Sequence, residues 1–485
     1  MNTKKHLLAA GAAMAVAFAG CRTTKQVLDD YERNITAGDY KTASIEVTEL
    51  AQKEDDSRLM YRLLSGSAYN WQLSPRDALM QFNKAEDVFA QNDQTSVFSQ
   101  ASGTSLAMMT NDRSFPFNGN GQDRVFTCLY KAINHLTIND KDGARTELNR
   151  AAQHQEKWLW NRRKDIDAAK ERMGKDSEDY AKKKQNEAID HSTSVSNAVA
   201  DADFAAKIKE KTGFDTASSG NLDALSKSDW MNLYAHHVTG VFRWVTSGNS
   251  DGRNFMKDLV SLDSANPVFA RDYADIEKGV RPKNQVWVYV EDGLCPVREE
   301  WRLDLPVVLV PYAGRYVLYA GMALPYLRER NPAAVSWAVG SNGKNVAMVQ
   351  VANVDKLVRT EYDVYMRGAL AREITRTIVK IGSQVALGIA AENAGDSKAK
   401  IGLRIAQVGA ATWAATTTAA DLRCWSALPK TVFAQRVDSP ENGVLNITAG
   451  MQTFPVNIPQ GKNVMVFVRK SSSVANPVIQ VAVLD

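Results

Sequence analysis

The side chains best suited to chemistry are few and widely spaced. The 485-residue chain contains six histidines and four cysteines. His236 and His237 are adjacent, with no carboxylate at metal-ligand spacing, and read as decoration on a helix. Glu299 and Glu300 are adjacent in a stretch that reads as a strand, which points them to opposite faces and keeps them from working as an acid–base pair. Arg372, Arg376 and Lys380 recur every fourth residue and so share one helix face. That stripe could meet a lipid headgroup, an anionic glycan or an acidic partner, or simply be solvated beside Glu373. Asp421 and Arg423 are spaced to pair locally at a structural junction with Trp425 and Pro429, or to line a ligand cleft. GxSxG, HExxH, GxGxxG, a phosphate loop and SxxK with its companion motifs are missing. Ser341-Asn342-Gly343-Lys344 between two apolar runs is a hairpin turn, since no Ser or Thr follows the lysine. No enzyme, metal or diffusible cofactor is expected, although carboxylates dispersed in sequence, as in a glycosidase, would leave no local motif.

One cysteine stands apart. Lys4 and Lys5 precede the uncharged run Leu7–Phe18, which is too short to span a bilayer, and Ala19-Gly20-Cys21 follows. That order is the layout of a secretory signal over residues 1–20. A cysteine directly after Ala-Gly resembles the bacterial lipobox. The resemblance implies a covalent diacylglycerol and an N-acyl chain on Cys21, which becomes the mature N-terminus. Arg22, in place of an Asp, points to the outer membrane facing the periplasm. Several acyl chains anchor firmly, because each buried methylene contributes about 0.8 kcal/mol.

The remaining chain is long enough for two or three domains with real cores. The formal net charge is +4, and loss of Lys4 and Lys5 brings it to about +2. A near-neutral exported body does not have the basic face of a nucleic-acid binder. Cys128, Cys295 and Cys424 are odd in number, so at least one thiol is unpaired. A Cys295–Cys424 bridge and a set of inert buried thiols are both open.

Residues 21–155 carry helical periods in repeating form. Gly38-Asp39-Tyr40-Lys41-Thr42-Ala43 looks like the turn and second-helix start of a tetratricopeptide unit. Gly66, Tyr69, Ala78, Phe82 and Ala85 give a fuller match, and Ala132, Ala144, Leu148 and Ala151 a third. Small residues there let helices approach, while Tyr69 and Phe82 fill the space between neighbours. Residues 113–123 read as a loop. Residues 156–226 read as a charged helical arm followed by a flexible segment of small and polar residues. Trp158 and Trp160, at its start, would cap the preceding core or offer a partner patch. Residues 227–282 hold a further helical repeat through Gly240, Gly252, Met256 and Leu259.

From residue 283 to 485 the pattern changes to short β runs, interrupted by a helical section rich in Ala and Gly. Its two arms, 381–391 and 401–420, should bury against the sheet as a hairpin. Runs near Thr431, Val444, Thr453, Val464 and Val478 read as an antiparallel meander. The expected fold is α+β: an N-terminal α-helical repeat solenoid followed by a mixed α/β domain with a mainly antiparallel sheet.

Three strings in this half occur together: residues 290–300 (VEDGLCPVREE), 369–380 (ALAREITRTIVK) and 420–429 (ADLRCWSALP). With the lipobox and the helical repeats, they resemble an uncharacterised family of bacterial tetratricopeptide-containing outer-membrane lipoproteins. The resemblance implies outer-membrane attachment, a periplasmic body, no assigned enzyme activity and a cell-wall-related setting. The expected role is a scaffold or adaptor that engages another envelope protein through its helical groove. The alternatives are a glycan (peptidoglycan included) or lipid binder using the C-terminal half, and a hydrolase with dispersed carboxylates.

Overall fold

The computed structural model describes residues 23–53, 55–102, 112–160, 201–216, 227–309, 316–393 and 418–485, with scattered positions between 395 and 403. The leader with Cys21, most of the charged stretch and most of the second small-residue arm lie outside them. The fold is α+β, with helices in the N-terminal half and three sheets in the C-terminal half.

Local capping sets the first helices. α1 (Thr24–Ala37) opens on a capping box between Thr23 and Gln26 and closes on Gly38 in the left-handed region (φ 82°). Asp39 then caps α2 (Tyr40–Leu50) through the Thr42 amide. α3 (Arg58–Trp71) and α4 (Pro75–Ser102) cross closely because Gly66 has no side chain. A Cβ there would lie 2.5 Å from the Phe82 ring. α5 (Gly121–Thr137) and a helix over 141–160 (α6) continue the layer. Ala78, Phe82, Ala85, Ala132 and Ala144 are all fully buried, and Tyr69 is partly buried against the same core. A second group follows, α8 (Leu233–Thr246), α9 (Asn249–Leu262) and α10 (Pro267–Glu277). Here Gly252 plays the part of Gly66, and its Cβ would meet Trp244 at 2.7 Å.

Two sheets lie face to face beside the helices. One has the order β11-β10-β1-β7-β6 and the other β5-β4-β8-β9. The strands are β1 (Gln285–Asp292), β4 (Trp337–Ser341), β5 (Lys344–Ala347), β6 (Val349–Asn353), β7 (Thr431–Asp438), β8 (Val444–Ala449), β9 (Gln452–Asn457), β10 (Val464–Lys470) and β11 (Val478–Val483). Alternation decides what each face meets. Val286, Val288 and Val290 of β1 join Val464, Val466 and Val468 of β10 in a core shared with Trp337, Val339, Leu445 and Ile447 of the smaller sheet. The opposite faces present Trp287, Tyr289, Met465 and Phe467 to a core shared with the helices. Helices, large sheet and small sheet therefore form three layers with β1 and β10 buried on both sides.

Three expectations change. The last five strands are not one meander: β8 and β9 form a hairpin in the small sheet, while β10 leaves to pair parallel with β1. The side chains of the first small-residue arm, 381–391, and most of the second, 401–420, lie outside the described residues, and only the helix leading into them is placed. α11 (Val354–Asn393) packs, through Tyr362, Met366, Leu370 and Ile374, on a separate two-stranded ribbon of β2 (Val297–Leu309) and β3 (Tyr316–Arg328). Part of the stretch read as flexible is α7 (Ala202–Thr212), capped by Asp201 and Gly213. Phe204, Ile208 and Phe214 at its apolar spacing pin it to the same ribbon, which outweighs its polar composition. His237 does not decorate a surface but is fully buried. The Asn342-Gly343 turn is as expected, with φ of 51° and 76°.

Because the Gly66–Phe82 crossing has no room for a methyl group, Gly66→Ala is expected to destabilise the chain by about 1–3 kcal/mol. Denaturant unfolding of the two proteins measures it, and an unchanged midpoint would contradict so tight a crossing.

Candidate functional site

Three buried clusters contain the residue types of catalysis, and in each the charged groups are paired within the chain. In the first, His237 Nε2 lies 3.0 Å from Asp272 and its Nδ1 3.1 Å from the Tyr289 hydroxyl. Trp287 Nε1 donates to the same Asp272 oxygen at 3.1 Å, and Arg436 pairs with its other oxygen at 3.0 Å. His237 and Asp272 are wholly inaccessible, so this His–Asp pair has no surface from which to reach a substrate. It joins α8 and α10 to β1 and β7.

In the second, Glu291 of β1 accepts from Tyr130 Oη (3.1 Å), Tyr234 Oη (2.9 Å) and Arg469 Nε (2.9 Å). Burial, and then the Glu291 charge, push both tyrosine hydroxyls well above their usual range. Arg469 also donates to Gln480 of β11. One carboxylate thus ties α5 and α8 to β1 and β10.

The third contains four of the five candidate contact residues. Burial alone would raise the Asp112 carboxyl, but Arg372 and Arg376 hold it well below the usual carboxylate range, each donating at 2.7 Å. Arg376 is 1% exposed and also donates to Glu373 at 2.5 Å. Arg372 and Arg376 are therefore not an unpaired stripe, because Asp112, distant in sequence, and Glu373 together balance their two charges. The side chain of Lys380 lies outside the described residues. Asp421 accepts two bonds from the Arg423 guanidinium, at 2.8 and 2.9 Å. The rest of that guanidinium clasps the carbonyls of Asp56, Asp112 and Phe115 at 2.7–3.0 Å. The pair is a buried junction, and the cleft reading gives way to it.

A fourth cluster has the spacing of a metal site. Ligand atoms of Glu86, Cys128 and Glu147 lie within 4.8 Å of one another. Lys131 Nζ stands between the carboxylates, 2.6 Å from Glu86 and 2.7 Å from Glu147, and Arg150 reaches both. Two cations already balance two anions, and burial pushes the Cys128 thiol up, away from a metal-binding thiolate. The donor set does not fit a metal. Cys295 and Cys424 are likewise free thiols raised by burial.

The helical layer is contacted by the chain's own C-terminal half. Trp425 packs on Phe82 and Tyr130, with centroids 5.9 and 5.8 Å away, and its Nε1 donates to Ser67 at 2.8 Å. Ser471 and Ser472 donate to the carbonyls of Ile35 and Thr36. Of the two tryptophans at the charged stretch, Trp158 packs edge-on against Trp230 at 5.4 Å, whereas Trp160 is 75% exposed. Glu299 bonds Tyr326 and Arg328, and Glu300 bonds Arg302 and the Ala420 amide, so the two serve different partners.

Sequence reasoning missed the acidic halves of these clusters. Asp112 is 260 residues from Arg372 and Glu291 is 178 from Arg469. The available signal was a charged residue closing an otherwise apolar strand, as Glu291 does after five apolar positions. Among the described residues no helix is long and apolar enough to cross a membrane. Comparison with family models, curated proteins and solved structures finds no match.

Glu291→Gln strips the counter-charge from buried Arg469 and should cost about 3–5 kcal/mol of stability, read by chemical denaturation. The pH dependence of the Asp112 cluster is also determined. A carboxyl whose folded pKa is depressed stabilises fully above its unfolded value, near 4. That contribution is lost as pH falls through the folded pKa. The stability difference between the parent and Asp112→Asn should be constant at neutral pH and shrink below about pH 4, as followed by denaturation at stepped pH.

Proposed function

We propose that the protein is a lipid-anchored scaffold or adaptor of the bacterial envelope. Acyl chains on Cys21 hold it at the periplasmic side of the outer membrane, and it reaches a partner protein with an arm built from β2, β3 and α11. The observation that carries this reading is the ribbon. β2 and β3 stay in register from Val297↔Arg328 to Leu309↔Tyr316, and among the described residues no third strand pairs with either edge. The described packing of α11 lies at the ribbon's base, through Tyr362, Met366, Leu370 and Ile374. A helix of 40 residues is about 60 Å long at 1.5 Å per residue. Unpaired strand edges and a long helix are features that proteins use to engage other chains.

The helix pairs with Gly66 against Phe82 support a tetratricopeptide-like ancestry for the N-terminal layer. That layer is contacted by Trp425 of the chain's own C-terminal half, which favours the arm over the groove for the partner contact. In this arrangement the body is a base that fixes the arm's root through the Asp112–Arg372–Arg376 cluster.

A photo-crosslinker at Arg302, whose side chain is 65% exposed on the ribbon, should trap an envelope protein in intact cells. The same group at Ile45, exposed on α2 in the helical layer, should not. Equal adducts at both positions, or none at either, would remove the arm from the proposal. The anchor is read separately: Cys21→Ser should abolish labelling by palmitate and release the protein from the membrane fraction.

A further inference from the structure

We infer that the outer face of the small sheet is a binding site for a neutral oligosaccharide. This goes beyond the adaptor reading and stands without it. The chain is 24% charged, yet residues 331–343 and 442–461 contain no Asp, Glu, Lys or Arg. Those segments supply β4, β8 and β9. Their inward residues are apolar and meet the large sheet. Their outward residues include Asn446, Thr448 and Thr453 beside Gly340 and Val444, and together with β5 they border a concavity of about 570 Å³. That volume lies within the ~300–1,000 Å³ typical of small-molecule sites and accommodates roughly two or three sugar rings. An ordinary solvated sheet face is studded with mixed charges. This one offers Lys344 and Glu441 at its rim and uncharged donors and acceptors across its floor.

Gly340 gives the face its shape. It is opposite Asn345 on one side and Asn446 on the other, so the three form one row across β5, β4 and β8. A glycine inside a strand weakens it unless a bulge, a bend or a close approach requires one. The register of β4 runs without a bulge, and Gly340 is not among the glycines with positive φ. Space is therefore what remains. A Cβ at Gly340 would lie 3.4 Å from Asn446 Cβ and 3.8 Å from Asn345 Oδ1, filling the gap between the two amides. Among the described residues neither of these side-chain amides bonds a protein group, while the next row is closed by Thr448 and Thr453 hydroxyls 3.2 Å apart. Two unspent amides flanking an open floor suit a ligand dense in hydroxyl or acetamido groups. An anion would find one lysine and a cation one glutamate, each at the margin. The face differs from the Arg372–Arg376 cluster, whose charges are already paired.

The full chain would be titrated by calorimetry with chitotriose, cellotriose and maltotriose. Saturable binding of at least one is expected. Gly340→Val fills the floor with a residue that strands favour, so its folding should match the parent by circular dichroism and thermal melting. Asn345→Ala combined with Asn446→Ala removes the amides. Each variant should bind about tenfold more weakly or worse, the scale of one lost polar contact. Three outcomes would overturn the inference. These are no binding of any of the three sugars, equal binding by the parent and both folded variants, and a self-association of the parent that Gly340→Val abolishes, which would assign the face to a second copy of the chain.

Discussion

The ion pair between Glu291 and Arg469 is where the layers of this molecule are joined. Both groups are almost wholly buried, with side-chain exposures of 4% and 3%. A charge so placed is tolerable only when its partner and its remaining lone pairs are satisfied. Tyr130 and Tyr234 complete that requirement from the helical side, so the helices cannot leave the sheet without stranding a carboxylate in an apolar core. The same logic recurs at Asp272 and at Asp112, where acids of one region neutralise arginines of another. Apolar burial alone would let the layers slide; the three charged junctions specify one arrangement.

That arrangement has a direct bearing on what the helices can do. An array of helix pairs normally offers its inner face to a ligand. Here Trp425, the Arg423 clasp and the Ser471–Ser472 turn contact the helical layer from within the same chain. Among the described residues the strands also present open surfaces: the edges of the ribbon and the uncharged outer face of the small sheet. An adaptor of this construction would engage its surroundings through β-structure while its helices act as a brace.

Much of this was legible in the residues themselves. Alternation in Val286–Val290 and Val464–Val468 separates small β-branched side chains from large ones, and that separation is the division between sheet-facing and helix-facing surfaces. Asn342-Gly343 announces its hairpin, and Gly66 with Phe82 announces a close helix crossing. What stayed hidden depends on distance along the chain. Nothing local indicates that β10 lies parallel to β1 rather than beside β9, because strand order is decided by which apolar faces meet. Arg372 and Arg376 look like an open cationic stripe until Asp112 arrives from another region. His237 looks like a surface residue because its acid, Asp272, belongs to a different helix. The residues that seat α11, Tyr362, Met366, Leu370 and Ile374, recur at helical spacing, but the choice of ribbon over sheet follows from chain path.

The parallel contact between β1 and β10 also constrains how the molecule comes into being. β1 is the central strand of the large sheet, and both of its neighbours, β7 and β10, lie more than 130 residues further along. During synthesis from the N-terminus, β1 emerges with two bare edges and two apolar faces. Local helix pairs can form early, whereas high contact order delays the sheet. The body is therefore expected to remain open to aggregation until its final strands have appeared. Closure of both cores therefore waits on the last strands of the chain to be made.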